Sequence, residues 1–143
     1  MRFDPVTDYP LGLRRPDLVS TPGGIPLAEV TLEAVRAGRI GGEEIRATPE
    51  TLARQGEVAA AAGRPQLAEN LARAAELASV PAGVILDIYT ALRPHRSTAA
   101  ELDGWSERLE SAYAAQLTAA FVREARVVYA ERGLLKTGER AAV

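Results

Sequence analysis

No cysteine occurs among the 143 residues, so no disulfide framework, thiolate nucleophile or thiolate metal site can be built. Redox chemistry therefore leaves the compartment open, and a reducing cytoplasm is compatible. Histidine is nearly absent too: His95 is the only one, set between Arg93-Pro94 and Arg96. A metal site needs several ligands at suitable spacing. A serine triad needs a histidine beside an orienting carboxylate, and this one has two cationic neighbours. There is no excess of positive charge: the net charge is −2, which argues against a nucleic-acid or anionic-membrane surface. No apolar run is long enough to span a bilayer. Met1-Arg2-Phe3-Asp4-Pro5 lacks the apolar stretch of a signal peptide, so a cytosolic protein is expected. Phosphate-binding glycine motifs are missing as well, since Gly38-Arg39-Ile40-Gly41-Gly42 has the wrong spacing.

Alanine fills the place that large aromatics leave; aromatics make up only 5% of the chain. Alanine favours helix and lets helices approach closely, but it buries little area, so a core built from it is thin. Such a chain is expected to need a partner surface to complete its burial.

The densest apolar stretch, residues 84–92, organises the rest. Ile85, Ile88, Tyr89 and Leu92 recur at i, i+3, i+4 and i+7, one face of an amphipathic helix. Pro94 ends it by disfavouring helical geometry at Arg93. Thr98 and Glu101 then form a T-x-x-E capping box that opens another helix. That helix is expected to run from 98 to 132, about 50 Å at 1.5 Å per residue, with Gly133 as its stop. Trp105, Tyr113, Phe121 and Tyr129 sweep around this rod in steps of eight, so some face the chain's own core and some a neighbour.

Upstream, Thr48-Pro49-Glu50 starts a helix to about residue 62, and a second spans about 66–79 with Leu67, Leu71, Ala74, Ala75 and Ala78 on one face. Gly63-Arg64-Pro65 is either a kink or a turn between them. Residues 31–37 form a short helix, with Leu32 and Val35 inward and Gly38 as the stop. Residues 1–30 carry Pro5, Pro10, Pro16, Pro22 and Pro26 yet hold Tyr9, Leu11, Leu13, Leu18 and Val19, which reads as an ordered, extended arm. The expected fold is all-α and a single domain over 1–143. It comprises the arm (1–30), a helical body (31–135) with several short helices and one long C-terminal helix, and a frayed tail (136–143).

No constellation carries chemistry. Glu43-Glu44 and the pair Glu107 and Glu110 read as solvated helix faces, and no residue is assigned a catalytic, cofactor-binding or metal-binding role. Arg14-Arg15 and Arg93 with Arg96 could dock carboxylates on a partner, because the planar guanidinium binds them bidentately. The candidate partner contacts are Tyr9, Leu11, Arg93, Arg96, Phe121 and Tyr129.

The order of segments is more informative than any one of them. Asp8-Tyr9-Pro10-Leu11, Thr21-Pro22, Gly24, Pro26-Leu27, Thr31-Leu32-Glu33 and Arg73-Ala74-Ala75-Glu76-Leu77 occur in one register. Ala91-Leu92-Arg93-Pro94 with Arg96-Ser97 follows, then Ala120-Phe121-Val122-Arg123-Glu124 with Val128-Tyr129. From about residue 8 to 135 the chain closely resembles the small subunit of adenosylcobalamin-dependent diol and glycerol dehydratases. His95 stands where relatives tend to have an aromatic residue, and residues 57–64 are alanine-rich where relatives are polar, which leaves diol versus glycerol preference open.

The resemblance implies a helical, non-catalytic subunit packed on a large subunit, a barrel that holds the diol and a metal ion. Adenosylcobalamin would lie between the large and medium subunits, and a radical reaction there would turn a 1,2-diol into an aldehyde and water. The implied assembly is a cytoplasmic hetero-oligomer, a dimer of heterotrimers. The N-terminal head is short beside members whose extensions are linked to microcompartments. The competing readings are a stand-alone helical interaction module and, with no chemical inventory behind it, an independent small enzyme.

Overall fold

A computed structural model of the chain describes residues 2–137. Among them the regular structure is helical, and the only β pairing is an isolated bridge between Ser20 and Pro26. The α-helices are α1 (Leu11–Arg14), α2 (Leu32–Arg36), α3 (Pro49–Ala61), α4 (Pro65–Leu77), α5 (Ala82–Ala91), α6 (Ala99–Tyr113) and α7 (Gln116–Glu131). The chain divides into two compact units, Met1–Ala78 and Ser79–Val143.

In the first unit, α3 and α4 pack together as a hairpin. Thr48 caps α3 by accepting from the Thr51 N–H, with Pro49 in the first turn as the sequence predicts. The Gly63 segment is a true turn. Gly63 has φ +71°, and the N–H groups of Gly63 and Arg64 donate to the carbonyls of Ala60 and Ala59, the paired bonds of a Schellman stop. Gly56 lets the two helices approach, since a Cβ there would lie 3.4 Å from the Ala68 carbonyl oxygen.

The N-terminal residues are ordered but not extended. They coil through α1 and two 3-10 turns, Pro16–Leu18 and Leu27–Glu29. Local hydrogen bonds outcompete extension here: Asp4 accepts from Val6 and Thr7, and Thr21 closes a turn with Ile25. Arg54 of α3 donates to the Leu18 carbonyl and ties this segment down. In α2 the expected inward residues are wrong: Ala34 is the buried one, and Leu32 is 66% exposed. Four or five helical residues turn only one narrow stripe inward, and the small residue takes it.

The second unit corrects the largest sequence expectation. No single helix runs from 98 to 132. It breaks at Ala114, which adopts left-handed geometry (φ 52°, ψ 26°), and the Ala115 N–H reaches back to the Leu109 carbonyl at 2.9 Å. α6 and α7 form an antiparallel hairpin: Glu110 pairs with Arg123 near the turn, and Asp103 with Arg126 farther from it. The energy balance explains the break. Left-handed geometry costs an L-residue roughly 1–2 kcal/mol. Folding back buries Leu102, Leu109 and Val122 almost completely, each worth about 1.5–3 kcal/mol. The aromatic sweep expected of one rod is thereby divided between two helices.

α5 completes this core through Ile88 and Ala91, with Val84 and Leu92 partly buried. Tyr89, expected on the buried face, is 69% exposed. The capping box at Thr98 and Glu101 is present as predicted. Gly133 ends α7 with φ +66°. Lys136, assigned to a frayed tail, is held by an N–H bond to the Ser97 carbonyl. Residues 138–143 of that expected tail lie outside the described residues.

Candidate partner interface

The turn joining α5 to α6 is exposed and held by several hydrogen bonds. Arg93-Pro94-His95-Arg96 closes on itself through the Arg96 N–H and the Arg93 carbonyl. Proline at the second position and a positive φ (61°) at the third give it type II character. His95 takes this costly geometry without being glycine, so its surroundings must hold it there. They do so from four directions. The Ser97 hydroxyl donates to the Ala91 carbonyl at 2.9 Å, the Tyr129 hydroxyl to the Leu92 carbonyl, the His95 N–H to the Leu134 carbonyl, and the Lys136 N–H to the Ser97 carbonyl. These bonds occupy backbone groups that the ends of α5 and α7 leave open.

The structure brings Arg93 and Arg96 together, both exposed, on this braced turn. Tyr129 supports the turn from within: it is half-buried, and its hydroxyl is engaged. Phe121 is exposed on α7, one turn from the exposed Leu117. In the first unit, Tyr9 is exposed beside a cis bond to Pro10. Leu11 does not suit the part expected of it, because it is 7% exposed and belongs to that unit's own core. Of the arginines offered as carboxylate docks, Arg15 is engaged internally with Asp8 and Asp17.

Several carboxylates carry structural duties. Glu110 is bound by both terminal nitrogens of Arg123, at 2.7 and 2.5 Å, which holds its carboxyl below the usual range. Glu44 accepts from the Gly23 N–H, and Glu43 pairs with Arg46. The backbone N–H of Thr98 lowers Glu101 in the same way as a capping carboxylate. Among the described residues no group of three or more His, Asp or Glu side chains could hold a metal ion. No helix among them is long and apolar enough to cross a membrane.

One open groove of about 810 Å³ lies in the first unit, between the N-terminal turns and α3. Val6, Tyr9, Leu27, Val58 and Leu71 make it apolar, while Thr51, Gln55 and Arg64 are its polar side chains.

Sequence reasoning missed one exposed feature, the outer face of α5. A signal was present: with Val84-Ile85-Leu86 and Ile88-Tyr89 apolar, Asp87 and Thr90 are the only strongly polar positions of this helix. A helix apolar on two sides is normally covered on both.

Comparison with known proteins agrees with the segment order. The model of the dehydratase small-subunit family matches residues 5–136. The chain is 50% identical over 131 residues to the propanediol dehydratase small subunit of Citrobacter freundii, an alignment covering 92% of this chain and 76% of that protein. It is 48% identical to the protein of the same name from Salmonella typhimurium, with the same coverage of each.

Proposed function

The chain belongs to the dehydratase small-subunit family, and from that membership we propose that it is the non-catalytic small subunit of a diol dehydratase, a lyase complex converting a 1,2-diol into an aldehyde and water. The observation that carries this reading is the near-half identity to two propanediol dehydratase small subunits over 92% of the chain. The stand-alone module has no comparable support.

The complex is read as a cytoplasmic hetero-oligomer with large and medium subunits, a dimer of heterotrimers, using adenosylcobalamin held by those other subunits. The groove of the first unit does not suit that cofactor. A corrinoid is broad and fringed with amides that need polar partners, whereas the groove of the first unit is mostly apolar. The sole histidine sits in the α5–α6 turn, outside that groove. The chain's contribution is to stability: a subunit that binds only the folded, assembled partner stabilises it by mass action.

Co-expression with the large and medium subunits tests this. The tagged chain should bring down both at a fixed ratio in one size-exclusion peak. A chain that elutes alone, with the other two assembled without it, would contradict the reading.

A further inference from the structure

We propose that the outer face of α5, with the arginine turn at its end, is the surface that docks on the partner subunit, and that it meets an apolar socket rimmed by carboxylates. This rests on the small-subunit reading and specifies where the contact lies.

The first observation is an uncovered helix face. Leu86 and Tyr89 are 66% and 69% exposed. At 100° per residue, Leu86 and Tyr89 fall about 60° apart, opposite the buried Ile88 and Ala91. The stripe runs toward the end of the helix, where the exposed Arg93 opens the turn that follows. Exposed aromatic and aliphatic side chains beside arginine have the composition of an interface centre.

The second observation is charge. The bonds from Tyr129, His95 and Lys136 bring the end of α7 to the α5–α6 turn, so Arg93, Arg96, Arg132 and Lys136 share one end of the hairpin. No carboxylate among the described residues forms an ion pair with Arg93, Arg96 or Arg132, while Lys136 has a through-space partner in Glu101. Arg15, Arg46, Arg123 and Arg126 each have a carboxylate partner, whereas Arg14, Arg36 and Arg39 have none among the described residues, so what distinguishes this end is that its cations are gathered together. A net charge of −2 disfavours a polyanion such as nucleic acid as the occupant. Localised cations around two apolar side chains complement an acidic rim around an apolar pocket on a protein.

The third is rigidity. The braced turn fixes the backbone under Arg93 and Arg96, so binding need order only their side chains.

The test uses the full chain co-expressed with the large and medium subunits. Leu86→Ser with Tyr89→Ser, and separately Arg93→Gln with Arg96→Gln, should each weaken retention of the chain by about tenfold or more. The arginine pair should also flatten the loss of wild-type binding with added salt. Leu13→Ser with Leu32→Ser, equally exposed but in the first unit, should bind as wild type does. Circular dichroism of each variant alone checks folding. Hydroxyl-radical footprinting of the wild type provides a readout without mutation: Tyr89 should be labelled in the free chain and protected in the complex. Wild-type binding with both α5 variants unaffected, or Tyr89 labelled equally in both states, overturns this surface and leaves the subunit role standing. Failure of the wild-type chain to bind at all sinks the subunit role itself.

Discussion

The break at Ala114 can be tested by the sign of a stability change. Ala114 has φ 52° and ψ 26°, geometry that an L-residue adopts at a cost of roughly 1–2 kcal/mol and glycine adopts freely. Glycine also loosens the unfolded chain, which offsets about 0.4–1 kcal/mol of that gain. Ala114→Gly should therefore stabilise the hairpin by about 0.5–1 kcal/mol. In an uninterrupted helix the same change would destabilise by about 0.8–1 kcal/mol. Ala114→Val sharpens the contrast, because a β-branched residue is a true outlier at positive φ. It should cost more than about 1 kcal/mol here, against about 0.5 kcal/mol within a helix. Urea denaturation followed by tryptophan fluorescence reads this out, since Trp105 is the sole tryptophan and packs against the core of the second unit. With a slope of about 1 kcal/mol/M, the Gly variant should raise the midpoint by about 0.5 M or more. A lowered midpoint for Gly with a mild effect of Val would refute the hairpin.

The same unit supports further tests. Leu109→Ala removes a side chain with no exposure and should cost about 2–5 kcal/mol in the same urea titration. Thr98→Ala should cost about 1 kcal/mol through loss of the cap, with the hairpin retained by circular dichroism. Glu101 has a folded pKa below its unfolded value, so its contribution is complete above the unfolded value and disappears as pH falls through the lowered one. Glu101→Gln should accordingly flatten the acid limb of the stability profile and leave its neutral-to-alkaline limb parallel to wild type. Gly104→Ala, within α6 and with open space where the Cβ would sit, should raise stability in the same titration by up to about 1 kcal/mol.

What the sequence made legible were the features written in local chemistry. Thr48-Pro49, the Thr98–Glu101 box and the glycine stops at 38 and 133 each satisfy backbone groups within a few residues, so residue type and spacing reveal them. The Ala114 break has no such signature. Alanine is the best helix former, and only the burial of Leu102, Leu109 and Val122 across the hairpin overrides it. For the same reason periodicity placed Tyr89 inward: α5 is apolar on both sides, and period alone cannot say which side the chain itself covers. Arg15 shows the converse error, since its pairing with Asp8 depends on a fold of the N-terminal residues that proline counts do not reveal. At the candidate interface, Arg93 and Arg96 were visible as a pair. The bracing from Ser97, Tyr129 and Leu134 was not, because it comes from residues up to 39 positions away.

The central claim is that this chain is a structural subunit of a diol-converting complex. Its most direct test is diol-dependent aldehyde formation by the large and medium subunits with adenosylcobalamin, measured with the chain omitted and then added back. The account predicts little assembled, active enzyme without it, recovery on addition until one chain is bound per large subunit, and no activity from the chain alone. Full activity and an unchanged size-exclusion profile in its absence would contradict it.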